Sequence, residues 1–135
     1  MNENYLTDQV LGAAIEVHRV LGPGLLESVY EECLAVELGL REVAFERQKE
    51  VGLTYKGHNI APNLRIDLLV GDAVVVELKT ADELAPVHEA QLLTYLRLTG
   101  CRVGLLINFN VSVLKKGIRR MVHQFDDSAS PRLSG

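Results

Sequence analysis

The sequence predicts a single mixed α/β domain, in which an N-terminal helical hairpin packs on a mixed sheet of four to five strands with one crossover helix. Three observations support this fold class. Apolar residues recur at helical spacing over the first forty residues, follow strand-like patterns in five later segments, and return to helical spacing between residues 86 and 99. The predicted order of elements is therefore α, α, β, β, β, α, β, β.

The composition is that of a small domain with its own core. With 135 residues, 47% of them hydrophobic, the chain can bury a core, since a domain of this size hides roughly two thirds of the surface that it exposes when unfolded. The longest apolar stretches are far shorter than the roughly 20 residues that cross a membrane, and residues 1–4 do not resemble a secretory leader. We therefore expect a cytoplasmic protein that does not bind membranes.

The cysteines and the charge balance exclude further classes. Cys33 and Cys101 lack the spacing of a zinc or redox site, so we expect buried, reduced thiols. The 14 Lys and Arg residues against 18 Asp and Glu residues give a formal net charge of -4. This balance argues against a generally basic surface for nucleic acid, but it permits a local basic face beside an acidic centre.

Two helices open the fold. The first carries an apolar stripe over residues 6–21 and ends at the Gly-Pro-Gly sequence that follows, because proline and glycine favour a turn there. The second covers residues 26–38, and Gly39 is expected to be its left-handed C-terminal cap.

Three strands follow the helices. Residues 43–57 carry many charges and are expected to form one long, exposed strand at the edge of the sheet. Residues 64–70 and 73–79 are more apolar and form two strands joined by a tight turn at Gly71 and Asp72.

A third helix over residues 86–99 connects the 73–79 strand to the nearly continuous apolar run at 101–109. A connection of this length permits a crossover, so the two strands are expected to be parallel, with the 101–109 strand in the sheet centre. Residues 114–125 could form a strand or a basic helix, and we favour a strand that starts after Gly117.

The predicted domain covers residues 1–125. The remaining ten positions, 126–135, are rich in Ser and Asp and are expected to form a flexible C-terminal tail.

Two acidic residues, Asp67 and Glu77, interrupt strands that otherwise have the composition of a buried sheet. If the turn between the strands has three residues, Val70 pairs with Val74 and Asp67 lies directly opposite Glu77. With a two-residue turn, the two carboxylates would point to opposite faces of the sheet. Lys79 shares the face of Glu77 because alternate residues of a strand do so.

Two carboxylates on directly opposed residues, about 5 Å apart, can hold one cation between them. Their hard oxygen atoms suit Mg²⁺ or Mn²⁺. A lysine beside them can orient an attacking water molecule and stabilise negative charge on a phosphate. Asp67, Glu77 and Lys79 therefore fit metal-dependent hydrolysis of a phosphodiester bond. The alternative interpretation is a structural salt bridge among the same three residues.

This order of motifs, an acidic residue ending one strand, Glu-x-Lys on the next and then a crossover helix, resembles the PD-(D/E)XK nuclease superfamily. The motif's proline is absent, because Ile66 precedes Asp67. In the RecB-like branch the helix carries Gln-x-x-x-Tyr, which Gln91 and Tyr95 match. The resemblance implies a restriction-endonuclease-like αβββαβ core, a Mg²⁺-dependent (or Mn²⁺-dependent) nuclease acting on DNA or RNA, and a supporting role for Gln91 and Tyr95. An ordinary amphipathic boundary is the alternative for this pair.

Residues 24–30, with the sequence GLLESVY, are similar to the signature of the GxxExxY proteins, which are grouped with the same superfamily. In related nucleases an acidic residue on the helix before the sheet joins the metal ligands, so the resemblance implies Glu27 as a third ligand. A glutamate favoured by the helix dipole is the alternative. Tyr30 is interpreted as a packing residue with a hydrogen-bonded hydroxyl.

Five further residues are candidate nucleic-acid contacts. Four of them concentrate positive charge after residue 114, and the fifth is a histidine near the end of the first helix. A solvated face and a boundary histidine are the respective alternatives. The candidates are Lys115, Lys116, Arg119, Arg120 and His18.

Two other hypotheses compete with a nuclease. The same fold could be a non-catalytic module whose acidic pocket binds a protein or nucleic-acid partner. The exposed strand at residues 43–55 could instead pair with a second copy of the chain in a homodimer.

Overall fold

A computed structural model of the chain describes residues 2–60 and 64–124. The predicted tail at residues 126–135, and the last residue of the predicted domain, lie outside the described residues. The helices are α1 (Glu3–Leu21), α2 (Glu27–Leu40) and α3 (Pro86–Thr99). The strands are β1 (Phe45–Glu50), β2 (Thr54–Tyr55), β3 (His58–Asn59), β4 (Arg65–Val70), β5 (Val74–Lys79), β6 (Val103–Asn108) and β7 (Ile118–Val122).

The main sheet has five strands in the order β1-β4-β5-β6-β7. β5 and β6 are parallel, and the other neighbouring pairs are antiparallel. Helix α3 connects the two parallel strands, which confirms the predicted mixed sheet with one crossover helix. β1 and β7 form the two edges, so the predicted edge position of β1 is also confirmed.

Two hydrophobic clusters cover the two faces of the sheet. The larger cluster packs the helical hairpin α1–α2 against alternate residues of β4, β5 and β6. The smaller one packs the apolar side of α3 against the opposite face. Because both faces are covered, β6 is buried along its whole length, as its continuous apolar sequence predicts. Cys101 is buried, Cys33 is half-buried, and neither forms a disulfide. Within the described residues, none of the helices has the length and hydrophobicity of a membrane span.

The turn between β4 and β5 has three residues, since Val70 pairs with Val74 and Leu68 with Val76. Gly71 and Asp72 both adopt left-handed backbone angles, with φ of 57° and 55°. A β-carbon on Gly71 would lie 2.7 Å from Leu6 Cδ1, so glycine is also required there for packing against α1. The register that places Asp67 in line with Glu77 is therefore confirmed.

The predicted end of α2 is wrong. The helix continues through Gly39 to Leu40, and the left-handed residue is Glu42, with φ of 59°. The Glu42 N–H donates to the Gly39 carbonyl and the Val43 N–H to the Leu38 carbonyl, each at 3.0 Å. Leu38 and Val43 are both buried. This pair of hydrogen bonds and the burial of Val43 outweigh the cost of a left-handed glutamate.

The single long strand predicted over residues 43–57 is also wrong. β1 ends at Glu50, and residues 54–59 form a separate two-stranded hairpin, β2–β3. The prediction of a last strand after Gly117 is confirmed, because a short 3-10 turn at Leu114–Gly117 leads directly into β7. That glycine cannot carry a β-carbon, which would lie 2.3 Å from the Asn108 carbonyl oxygen.

Tyr30, the last residue of the GLLESVY sequence, has a structural role. Its ring is buried and stacks on Phe109, with ring centroids 4.4 Å apart. Its hydroxyl donates to the Gly22 carbonyl and accepts a hydrogen bond from the Leu25 N–H at 3.2 Å. Tyr30 therefore closes the loop between α1 and α2, and the interpretation of a packing residue with a hydrogen-bonded hydroxyl is confirmed.

We expect Tyr30→Phe to lower the free energy of unfolding by about 1–3 kcal/mol, because the Gly22 carbonyl and the Leu25 N–H both lose their partner. Urea denaturation followed by circular dichroism measures the change. The matched control is Tyr5→Phe, since Tyr5 is 45% exposed on α1. Equal stabilities of the two variants would show that the Tyr30 hydroxyl does not stabilise the loop.

Candidate active site

The candidate site lies where β4 and β5 diverge. The two strands pair over residues 68–70 and 74–76, and beyond them β4 continues to pair with β1 while β5 continues to pair with β6. We call this opening, with Asp67 on one side and Glu77 on the other, the fork. The fork leaves backbone N–H groups without the partners that a continuous ladder would supply.

The two carboxylates fill this gap in the backbone hydrogen bonding. The Asp67 N–H donates to Glu77 Oε2 at 2.8 Å, and the Leu78 N–H donates to Asp67 Oδ2 at 2.8 Å. Each side chain is therefore held by the opposite strand. The other oxygen of Glu77, Oε1, accepts no hydrogen bond from the described residues. The two backbone hydrogen bonds thus hold both carboxylates in place and leave at least one oxygen atom, Glu77 Oε1, available for a ligand.

Burial raises the pKa of both acids, and a neighbouring negative charge adds to the effect, that of Asp67 at Glu77 and that of Glu31 at Asp67. Burial raises the pKa of Glu77 to about 8, the charge of Asp67 adds to this effect, and the backbone hydrogen bond and Lys79 oppose it. Burial also raises the pKa of Asp67, against the hydrogen bond from Leu78. Because like charges close together disfavour ionisation, a nearby cation would favour the ionised form of both carboxyl groups.

The positive charge of Lys79 lowers the pKa of Asp67 and of Glu77. It is nevertheless absent from the ion pairs that the described residues form. The carboxylates are held by backbone N–H groups instead. The salt-bridge alternative for this trio is therefore not what the structure shows.

Glu27 begins α2 and approaches the fork from the helical layer. Burial raises its pKa, Lys79 lowers it, and the negative charge of Asp67 raises it further. The effects of Lys79 and Asp67 on its pKa show that Glu27 is within electrostatic reach of the fork. Glu27 is nevertheless an exposed residue.

Two further residues beside the fork, Glu31 and Gln48, are not among those predicted from the sequence. Glu31 is 8% exposed and lies one helical turn after Glu27. The Gln48 amide donates to Glu31 Oε1 at 2.8 Å and to Asp67 Oδ1 at 3.3 Å, and Arg47 donates to Glu31 Oε2 at 3.0 Å. Gln48 therefore connects the helical layer to the fork.

Gln48 adopts a left-handed backbone conformation, with φ of 50°. Its neighbours Arg47 and Lys49 pair with Leu68 and Ile66, so Gln48 stands opposite Asp67 without joining the ladder. Such a conformation costs a non-glycine residue of order 1 kcal/mol or more and needs support from its surroundings. The i, i+4 spacing of Glu27 and Glu31 was visible in the sequence, whereas the turned backbone at Gln48 was not.

Gln91 and Tyr95 lie together on α3. The exposed Gln91 amide donates to the Tyr95 hydroxyl at 3.5 Å, and Tyr95 is 4% exposed. Burial raises the pKa of Tyr95, and the charges of Glu77 and Asp67 raise it further. The Gln-x-x-x-Tyr pair is therefore close enough to the fork for its tyrosine to be affected by both carboxylates.

The structure separates the candidate nucleic-acid contacts. His18 is buried, with Nε2 hydrogen-bonded to the Val111 carbonyl at 2.8 Å, which agrees with the boundary alternative. Arg119 pairs with Glu89 of α3, whereas Arg120 donates to Asn4 Oδ1 near the start of α1. The two arginines thus point to opposite faces of β7. Arg119 also donates to the Lys116 carbonyl at 3.4 Å, beside the exposed lysines of the 3-10 turn, Lys115 and Lys116.

The donor set fits a divalent cation through two residues. No group of three or more His, Cys, Asp or Glu residues within the described chain is arranged to hold a metal ion. Asp67 and Glu77 nevertheless offer hard oxygen atoms at one point, and Mg²⁺ commonly takes one or two carboxylates and completes its shell with water. The fit therefore depends on these two carboxylates.

Comparison with known proteins gives one family model that matches the sequence and two solved structures of low identity. A sequence model described as the PD-(D/E)XK nuclease superfamily matches residues 4–121. No curated protein matches significantly. The chain is similar to the crystal structure of SSO0001 at 18% identity and a TM-score of 0.49, over 96% of this chain and 71% of that chain. It is also similar to an alkaline exonuclease (LHK-Exo) from Laribacter hongkongensis at 14% identity and a TM-score of 0.48, over 98% of this chain and 87% of that chain.

We expect Glu77→Gln to stabilise the metal-free protein at pH 8 and to change it little at pH 5. Between the ordinary value of 4.5 and the raised pKa of about 8, the unfolded chain ionises Glu77 while the folded chain keeps it protonated. Stability is therefore present at low pH and is lost as the pH rises through this window, by up to about 1.4 kcal/mol per pH unit. Thermal denaturation in EDTA at both pH values measures the difference.

The matched control for this experiment is Glu83→Gln, because Glu83 is exposed and outside the fork. Its effect should be the same at both pH values. A Glu77→Gln effect that does not grow with pH would contradict a buried, protonated Glu77.

Proposed function

Because the chain belongs to the PD-(D/E)XK nuclease superfamily, we propose that it hydrolyses phosphodiester bonds in DNA or RNA with a divalent cation, Mg²⁺ or Mn²⁺, at the fork. The observation that carries this proposal is the pair of carboxylates at the fork, which the opposite strands hold by backbone hydrogen bonds and whose pKa values are both raised. A buried pair of like charges is the site that a divalent cation stabilises most.

In this proposal Asp67 and Glu77 hold the cation, and Glu27 is the third carboxylate within reach. When bound, the cation supplies positive charge that neutralises the acids, polarises a phosphate oxygen and lowers the pKa of a water molecule. Lys79 orients the attacking water or binds a phosphate oxygen, which its influence on the pKa of all three acids supports.

Gln91 and Tyr95 support the site from α3. Tyr95 orders the exposed Gln91 amide beside the fork through the hydrogen bond between them. An exposed amide can donate to a phosphate oxygen of a bound substrate.

We propose that Lys115 and Lys116 contact the phosphate backbone, since both are exposed on one short turn. Arg119, Arg120 and His18 contribute less in this proposal, because each has a protein partner in the structure. Membership of the GxxExxY group and of the RecB-like branch, and a cytoplasmic location, are further parts of the proposal.

We expect Mn²⁺ to bind the wild-type chain and to bind Asp67→Asn and Glu77→Gln at least tenfold more weakly, because each substitution removes one charged ligand. Isothermal titration calorimetry measures this. Glu83→Gln is the control and should keep the wild-type affinity. No binding to the wild type, or equal binding to all four proteins, would refute a cation site at the fork.

We expect the chain to cleave labelled DNA or RNA only with Mg²⁺ or Mn²⁺, and Lys79→Ala to lower the rate by about 10²-fold or more, because one electrostatic contact to the reacting phosphate is lost. Gel assays on single-stranded and duplex substrates measure this. Lys49→Ala, at an exposed lysine paired with Glu46, is the control.

Two outcomes would contradict this function. Unchanged cleavage by Lys79→Ala and Asp67→Asn would identify a contaminating nuclease. Nucleic-acid binding without cleavage, in a protein that binds Mn²⁺ normally, would support the non-catalytic module instead.

A further inference from the structure

The hairpin β2–β3, residues 54–59, extends the β1–β4 pair beyond the main sheet. The ladder of the main sheet ends where Glu50 pairs with Arg65. It continues outward through the Val51 N–H, which donates to the Leu64 carbonyl, and the Ile60 N–H, which donates to the Leu53 carbonyl, both at 2.9 Å. We call residues 54–59 the arm. Since Asp67 is only two residues from Arg65, the arm projects from the end of the sheet at which the fork opens.

The arm carries an exposed aromatic ring that neither hydrophobic cluster uses. Tyr55 is 61% exposed, and Lys56 Nζ lies 5.4 Å from its ring centroid. Lys56 and Gly57 form the two-residue turn, with φ of 49° and 83°. All six residues of the arm are exposed. Tyr55 belongs to neither hydrophobic cluster, so its ring is accessible to a ligand.

The charge around the arm is positive beside an acidic site. No Asp or Glu occurs between Glu50 and Asp67 in the sequence, so the arm carries the positive charge of Lys56 and no acid. Arg65 is paired with Glu50, with 3.6 Å between Arg65 Nη2 and Glu50 Oε2. His58 pairs with Tyr55 across the hairpin. A basic, aromatic arm next to a centre that handles phosphates has the charge that attracts a polyanion.

We propose that the arm binds an unpaired stretch of the nucleic-acid substrate, with Tyr55 stacking on a base and Lys56 contacting a phosphate. This inference rests on the proposed nuclease function and assigns its substrate class. The base must be unpaired, or at a strand end, because a tyrosine can stack only on a base face that no neighbouring base covers. Tyr55 lies five residues after the end of β1, at most about 16 Å of extended chain, so the contact lies outside the fork.

The test measures binding apart from cleavage. Asp67→Asn is used as the background so that the substrate stays intact, and fluorescence anisotropy follows a fluorescein-labelled 20-nucleotide single strand and the matching duplex over a range of salt concentrations. Tyr55→Ala removes the ring, Tyr55→Phe keeps it, and Lys56→Gln removes the charge. The matched control is Tyr5→Ala, because Tyr5 is the other exposed tyrosine of the described residues and lies at the start of α1.

We expect Tyr55→Ala to weaken single-strand binding by about tenfold or more, as the loss of one stacked base predicts. Tyr55→Phe and Tyr5→Ala should bind as the background does. Lys56→Gln should reduce the salt dependence of binding by about one phosphate contact. The duplex should be affected less than the single strand by the loss of the ring.

Equal affinities of Tyr55→Ala and Tyr5→Ala for the single strand would overturn the proposal, and so would a loss in Tyr55→Phe as large as that in Tyr55→Ala. A failure to bind either probe would overturn it as well. A cleavage assay on the wild-type protein then distinguishes the arm proposal from the nuclease proposal. If that protein cleaves while Tyr55→Ala binds normally, only the arm proposal fails. If it does not cleave while the Tyr55 effect is present, only the nuclease proposal fails.

Discussion

The structure around the fork depends on one constraint, the free-energy cost of ionising two buried carboxyl groups, Asp67 and Glu77, next to each other. Burial disfavours the ionised form of each acid, the charge of Asp67 further disfavours ionisation of Glu77, and the charge of Glu31 does the same at Asp67. Lys79 offsets part of this effect by lowering the pKa of both acids, but it is absent from the ion pairs that the described residues form. Two backbone hydrogen bonds hold the acids in place. In the proposed function, a bound cation offsets the remaining cost of ionising them.

The rest of the fold can be understood as what holds this arrangement in place. β1 and β6 continue to pair with β4 and β5 where those two strands diverge, so the fork opens without unfolding the sheet. The stack of Tyr30 on Phe109 fixes α2 against the end of the sheet, and α2 carries Glu27 and Glu31 toward the fork. Gln48 then joins α2 to Asp67 at the cost of a left-handed backbone.

The sequence was sufficient to predict the features that depend on periodicity and spacing. The period of two predicts β4 and β5 and makes their register depend on the length of the turn. The structure decides between the two alternatives, with a three-residue turn that pairs Val70 with Val74. The features that the sequence could not predict depend on contacts between distant residues. A helix that continues through Gly39 is stabilised by the burial of Val43, and the end of β1 and the conformation of Gln48 depend on partners in α2 and β4. These are tertiary interactions that override local preference.

The most direct test of the central claim, a divalent cation held at the fork, is a crystal structure of the wild-type chain soaked with Mn²⁺ and measured at the manganese absorption edge. We expect one anomalous peak at the fork, about 2.0–2.3 Å from a carboxylate oxygen of Asp67 and from one of Glu77. The fork's carboxylates should keep their backbone hydrogen bonds in that structure. If a saturating Mn²⁺ concentration gives no peak at the fork, or a peak next to other residues, then Asp67 and Glu77 do not hold a divalent cation.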